Sequence, residues 1–225
     1  MIKFLFKSVL VIALLVVAVG AIGIYSARSL PNWFDETKAN TDFAGETIRK
    51  ELGSKNQNQF LADKSKEILS GNVSFDEGEF NALMLAAIKA DADGRKLLAV
   101  SDGVKAFLRR DEIEIAAVIN LNKLGKIDPK ARKKIEKFDK LFWIIDDGRV
   151  AVSLYGTPVA RRGGLGIKDD FHLKVGQIPF SNNTLRSLKV PVEKANKERM
   201  SVKYLNVKSV AVSRGKIDFQ VQPRL

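Results

Sequence analysis

No cysteine occurs in this chain. That excludes a disulfide scaffold, a lipobox lipoprotein and any thiolate chemistry. Histidine is nearly as scarce: His172 is the single one, and one imidazole without thiolates does not make a usual zinc site. Its place in an alternating run, opposite Phe171 and Leu173, predicts a polar strand position. The phosphate-cradling GxxxxGK[ST] run and a GxGxxG opening a helix are both missing, as are the GxSxG and SxxK nucleophile patterns. Asp91-Ala92-Asp93-Gly94 lacks the twelve-residue calcium-loop ligand pattern and is expected to be a helix-stop turn. The carboxylate pairs Asp146-Asp147 and Asp169-Asp170 lie at turns, where neighbours diverge, so they do not support glycosidase-type acid/base work. No enzyme, catalytic residue, metal or cofactor is therefore expected.

Acids are also absent at the start, the first being Asp35. What stands there instead is an uncharged apolar run, Ser8 to Tyr25, preceded by Lys3 and Lys7. Its eighteen residues would extend about 27 Å as a helix, enough for a hydrocarbon core. The flanking lysines predict a cytoplasmic N-terminus, a single plasma-membrane span and an extracytoplasmic C-terminal domain. The competing reading is a cleaved signal peptide with a small-residue site at Val19-Gly20-Ala21 or Ala21-Ile22-Gly23. The apolar run exceeds the usual h-region of about 7–15 residues, which favours a retained anchor.

Positive charge dominates the whole chain, which carries +12 at neutral pH. Setting aside Lys3 and Lys7 leaves an excess of ten. On the outer side of a membrane this balance points to acidic lipid headgroups, an envelope protein complex or an anionic wall polymer, and away from nucleic acid.

Three segments follow from pattern. Residues 1–27 form the cytoplasmic tip and anchor. Residues 28–72 read as a helical stalk, beginning with Trp33 and Phe34, which suit the interfacial aromatic belt. It continues with short helices over Thr41–Leu52 and Phe60–Leu69. Residues 73–225 form an extracytoplasmic α+β domain. There Val73 to Phe75 reads as a strand, and Asp76 with Glu79 has capping-box spacing. Phe80, Leu83, Met84, Ala87 and Ile88 share one helical face. Three strand–turn–strand phrases follow, with turns at Arg109–Asp111, Asp146–Gly148 and Ser213–Gly215. They predict a curved antiparallel sheet of hairpins packed with amphipathic helices. Asp128 and Pro129 start a basic helix. Arg161 to Gly166 is a basic glycine-rich loop, expected to be a mobile hairpin tip. Phe171 to Phe180 reads as one strand.

Ser74-Phe75-Asp76-Glu77-Gly78-Glu79-Phe80-Asn81-Ala82-Leu83 resembles the helix start of YpmS-like membrane-anchored bacterial envelope proteins. Tyr155-Gly156-Thr157-Pro158-Val159 is similar to their glycine-x-proline strand, and Leu173 to Phe180 to their leucine-x-x-glycine-x-leucine-proline segment. The likeness runs from Val73 to Val221. It implies an N-terminal anchor and an extracytoplasmic α+β domain, and carries over no catalytic residue. The long curved sheet is also analogous to tubular lipid-binding folds.

Together these readings give a non-enzymatic, membrane-tethered envelope protein that binds a lipid or other apolar ligand. Phe80, Leu83, Met84 and Phe107 would line an apolar cradle. Lys133, Lys134, Lys137, Arg161 and Arg162 would meet anionic headgroups or a polymer. The alternative is a structural or assembly factor that binds a protein complex or wall polymer through its basic face.

Overall fold

A computed structural model describes residues 30–34, 42–53, 57–127, 148–161, 163–168, 171–181, 183–184 and 205–223. Among them no helix is long and apolar enough to cross a membrane. The apolar run Ser8–Tyr25, the basic helix expected from Asp128 and the strand expected at Phe142–Ile145 lie outside the described residues.

The fold class is α+β with antiparallel sheets, but the sheet is not one surface. A five-stranded sheet has the order β2 (Ser101–Arg109), β3 (Glu112–Asn120), β4 (Arg149–Gly156), β7 (His172–Val175), β8 (Ile178–Phe180). A three-stranded sheet has the order β1 (Asn72–Asp76), β10 (Lys216–Pro223), β9 (Leu205–Ser213). The hairpin of β5 (Pro158–Arg161) and β6 (Gly164–Ile167) is a third, two-stranded piece. It touches the three-stranded sheet through Val207, whose N–H donates to the Gly163 carbonyl at 3.1 Å. The expected hairpin is thus present, but it is held against β9 rather than standing free.

One further strand reading is corrected. Phe171–Phe180 is not one strand: Gly176, with φ of 56°, and Gln177 turn the chain between β7 and β8. β4 pairs with β3 along its whole length and with β7 over Val152–Tyr155.

The helix α4 (Glu77–Ala90) starts as its sequence requires. The Asp76 carboxylate accepts from the Glu79 N–H, and the Glu79 carboxylate accepts from the Asp76 N–H. It ends at Asp91, but the chain does not leave helical structure there. The Asp91 carboxylate accepts from the N–H groups of Asp93 and Gly94 and caps a second helix, α5 (Ala92–Val100). The expected stop is also a start.

The segment read as a stalk contributes to the same core as the strands. It forms α1 (Phe43–Leu52), α2 (Gln57–Asp63) and α3 (Ser65–Leu69). Ala44, Leu52 and Phe60 are buried together with Val73, Phe80, Leu85 and Ile217. Lys64 sits at the break between α2 and α3. Its amino group donates to the Ser74 carbonyl at 2.9 Å and the Glu79 carboxylate at 3.2 Å, and lies over the rings of Phe60 and Phe75. A cation held this way anchors the helical segment to β1 and α4.

The inward face of the five-stranded sheet carries Val104, Ala106, Leu108, Ile113, Ile119, Val150, Val152, Leu173 and Val175, all buried. The residues between them point the other way. On this outward face Phe107, Glu114, Tyr155 and His172 stand in one cross-strand row. Tyr155 and His172 stack at 5.3 Å, with His172 exposed at the polar strand position its alternation predicts.

Candidate functional site

The site grows from a break in β2. The pairing of β2 with β3 shifts between Ser101 and Gly103, so Asp102 is the extra residue of a bulge. Beside it, Gly103 leaves room for another piece of chain. A Cβ on Gly103 would lie 3.2 Å from Cζ3 of Trp33 and 3.3 Å from Cδ2 of Phe34. The segment Leu30–Phe34 rests here, turned by a bond from the Phe34 N–H to the Pro31 carbonyl at 2.9 Å. Trp33 meets Phe107 edge-on at 6.1 Å and Phe34 at 6.3 Å. These aromatic residues therefore form a strap along the outward side of β2.

The bulge also turns Asp102 into the centre of a charge cluster. Its side chain is fully buried. Lys123 Nζ donates to Oδ1 at 2.6 Å, and Arg149 Nε and Asn120 Nδ2 donate to Oδ2 at 2.7 and 3.1 Å. Burial pushes the Asp102 carboxyl up, but the hydrogen bonds from Lys123, Arg149 and Asn120, with the Lys123 charge, outweigh it and hold the group below its ordinary value. Asp102 is thus ionised. Arg149 reaches the strap as well, with its guanidinium carbon 6.0 Å from the centre of the Phe34 ring. Asn120 also acts as a helix cap. Its side-chain oxygen accepts from the Lys123 N–H and starts the short helix α6 (Leu121–Ile127).

Further along the outward row of β2, Lys105 Nζ lies 4.8 Å and Arg109 Cζ 5.4 Å from the Phe107 ring centre. Two donors of Arg109 converge on one Glu114 oxygen at 2.8 and 3.0 Å. Lys105 makes no ion pair with a described residue.

The residues expected to line an apolar cradle are not brought together. Phe80 and Met84 lie inside the core, at 7% and 3% exposure, and Leu83 packs half-buried against it. Phe107 is on the opposite side of β2 from the core residues Ala106 and Leu108. Of the expected headgroup contacts, Arg161 closes β5 beside Gly166. Lys133, Lys134, Lys137 and Arg162 lie outside the described residues.

Asp102, Gly103, Lys123 and Arg149 carry no local motif. The one sequence signal was the polar Ser101-Asp102-Gly103 immediately before an apolar strand. Among the described residues no group of three or more metal-ligating acids or imidazoles converges. Comparison of the chain with protein-family models, curated proteins and solved structures finds no match.

Proposed function

We infer that this chain is a non-enzymatic, membrane-tethered envelope protein whose α+β domain works at the lipid surface, binding lipid or another apolar group there. One observation carries the reading. The strap Leu30–Phe34 is seated on β2, and only five peptide steps separate Leu30 from Tyr25 at the end of the apolar run. Fully extended, they reach about 18 Å at most. A domain held so closely to a membrane span works at its surface and not at the end of a long stalk. The likeness of Val73–Val221 to YpmS-like anchored envelope proteins supports the same topology.

A second reading has its own support. Phe80 and Met84 are inside the core, so recognition falls to the exterior, as in an assembly factor that binds a protein complex or an anionic wall polymer.

The two readings separate when cells carrying the full chain are fed a photoactivatable phospholipid, illuminated, and the labelled residues mapped by mass spectrometry. Label near Trp33 and Phe107 is the expected result. Label at Leu83 and its neighbours would restore the enclosed cradle. An unlabelled chain cross-linked instead to protein or polymer would favour the assembly factor.

A further inference from the structure

We propose that the outward row of β2, with Trp33 laid along it, is the surface that rests in the phospholipid headgroup layer, and that Trp33 is its anchor. This rests on the membrane tether inferred above and adds which face meets the lipid.

The first ground is the chemistry of Trp33. Its ring packs on Phe107 and beside Gly103, yet the residue remains half-exposed. Its indole N–H finds no acceptor among the described residues. An aromatic body fixed on protein and left half-exposed is the arrangement that favours an interface where one side is apolar and the other wet. Ester carbonyls and phosphates of the headgroup layer are acceptors for its indole N–H.

The second ground is charge. Lys105, between Gly103 and Phe107 in the outward row and with Nζ 4.8 Å from the Phe107 ring centre, is half-exposed and lacks an ion pair with a described residue. Arg110, at the tip of the β2–β3 hairpin, is 93% exposed and pairs with Asp111 at 3.9 Å. Arg109 is already neutralised by Glu114, so Lys105 is the cation this row offers to phosphate. The third ground is reach. The strap lies within about 18 Å of the apolar run, less than the diameter of a small domain, so this edge cannot turn far from the bilayer.

The experiment uses the full chain in vesicles made with lipids brominated near the carbonyls or near the chain ends. Trp143→Phe leaves Trp33 as the only indole. Its fluorescence is expected to be quenched about twofold or more by shallow bromines and less by deep ones, as for a residue at headgroup depth. Lys105→Glu is expected to lower this quenching about twofold in anionic vesicles, by loss of attraction to the surface. A chain that resists alkaline carbonate extraction but shows no quenching of Trp33 would overturn the proposal and leave the tether standing. A chain released by carbonate would overturn both.

Discussion

A carboxylate without exposure to water is kept at Asp102 because three donors reach it from three different elements: Asn120 on β3, Lys123 on α6 and Arg149 on β4. The pair of cations makes the site sensitive to removal of the acid alone. Asp102→Asn removes the buried charge that Lys123 and Arg149 share and should cost about 3–5 kcal/mol near neutral pH. The pH dependence has a definite sign. The folded value is depressed, so the stabilisation is complete above the unfolded value of about 3.9 and is lost as pH falls through the folded value. Urea unfolding across acidic pH should therefore show a flatter acid limb in Asp102→Asn than in the parent. Equal stability of the two proteins at neutral pH would show that the cluster does not hold the bulge. None of this was legible beforehand, because positions 102, 120, 123 and 149 share no spacing. The sheet register, and not the local sequence, brings them into contact.

Elements were legible where the signal is local. The capping box at Asp76 and Glu79, the β2–β3 turn at Arg110-Asp111 and the β9–β10 turn at Arg214-Gly215 all lie within a few residues of the structure they specify. Asp91 was half legible, since the same carboxylate side chain suits a stop and a new start. The edge of β2 was illegible, because its cover comes from another element. Asn81 on α4 is buried, and its amide group donates to the Ala106 carbonyl at 2.7 Å and accepts from the Ala106 N–H at 2.6 Å. One side chain thus takes the place of a neighbouring strand. Glu77 extends the cover by accepting from the Leu108 N–H at 2.9 Å, and the Gly215 N–H donates to the Leu108 carbonyl at 2.9 Å. A helical pattern marks Asn81 only as a polar interruption beside Phe80. Asn81→Leu should leave both Ala106 groups buried without partners and lower stability by about 2–4 kcal/mol in chemical denaturation. A loss below about 0.5 kcal/mol, the range of ordinary surface substitutions, would mean that the edge is covered some other way.

At the scale of the whole molecule, composition and alternation were enough for an α+β domain with antiparallel sheets. They did not divide the strands among three sheets, because a half-buried hairpin reads the same in any of them. The apparent stalk misled for a related reason. Its apolar residues are few, but Ala44, Leu52 and Phe60 are buried with the strands, and a sparse face is sufficient when a larger core receives it. This changes the mechanical picture. The domain does not begin at Val73, about 50 residues from the apolar run. Among the described residues, its contacts already include Leu30–Phe34, on β2.

The absence of cysteine allows single thiol labels to be placed at will. The most direct measurement is energy transfer from a donor at one introduced cysteine to acceptors in the headgroup layer, with the full chain in vesicles. Lys105→Cys reports the edge beside the strap. Leu69→Cys, on the 74%-exposed Leu69 of α3, reports the helical segment against β1. Stronger transfer from position 105 than from position 69 is predicted. Equal transfer from both, or stronger transfer from position 69, would contradict a domain strapped to the membrane by the outward face of β2.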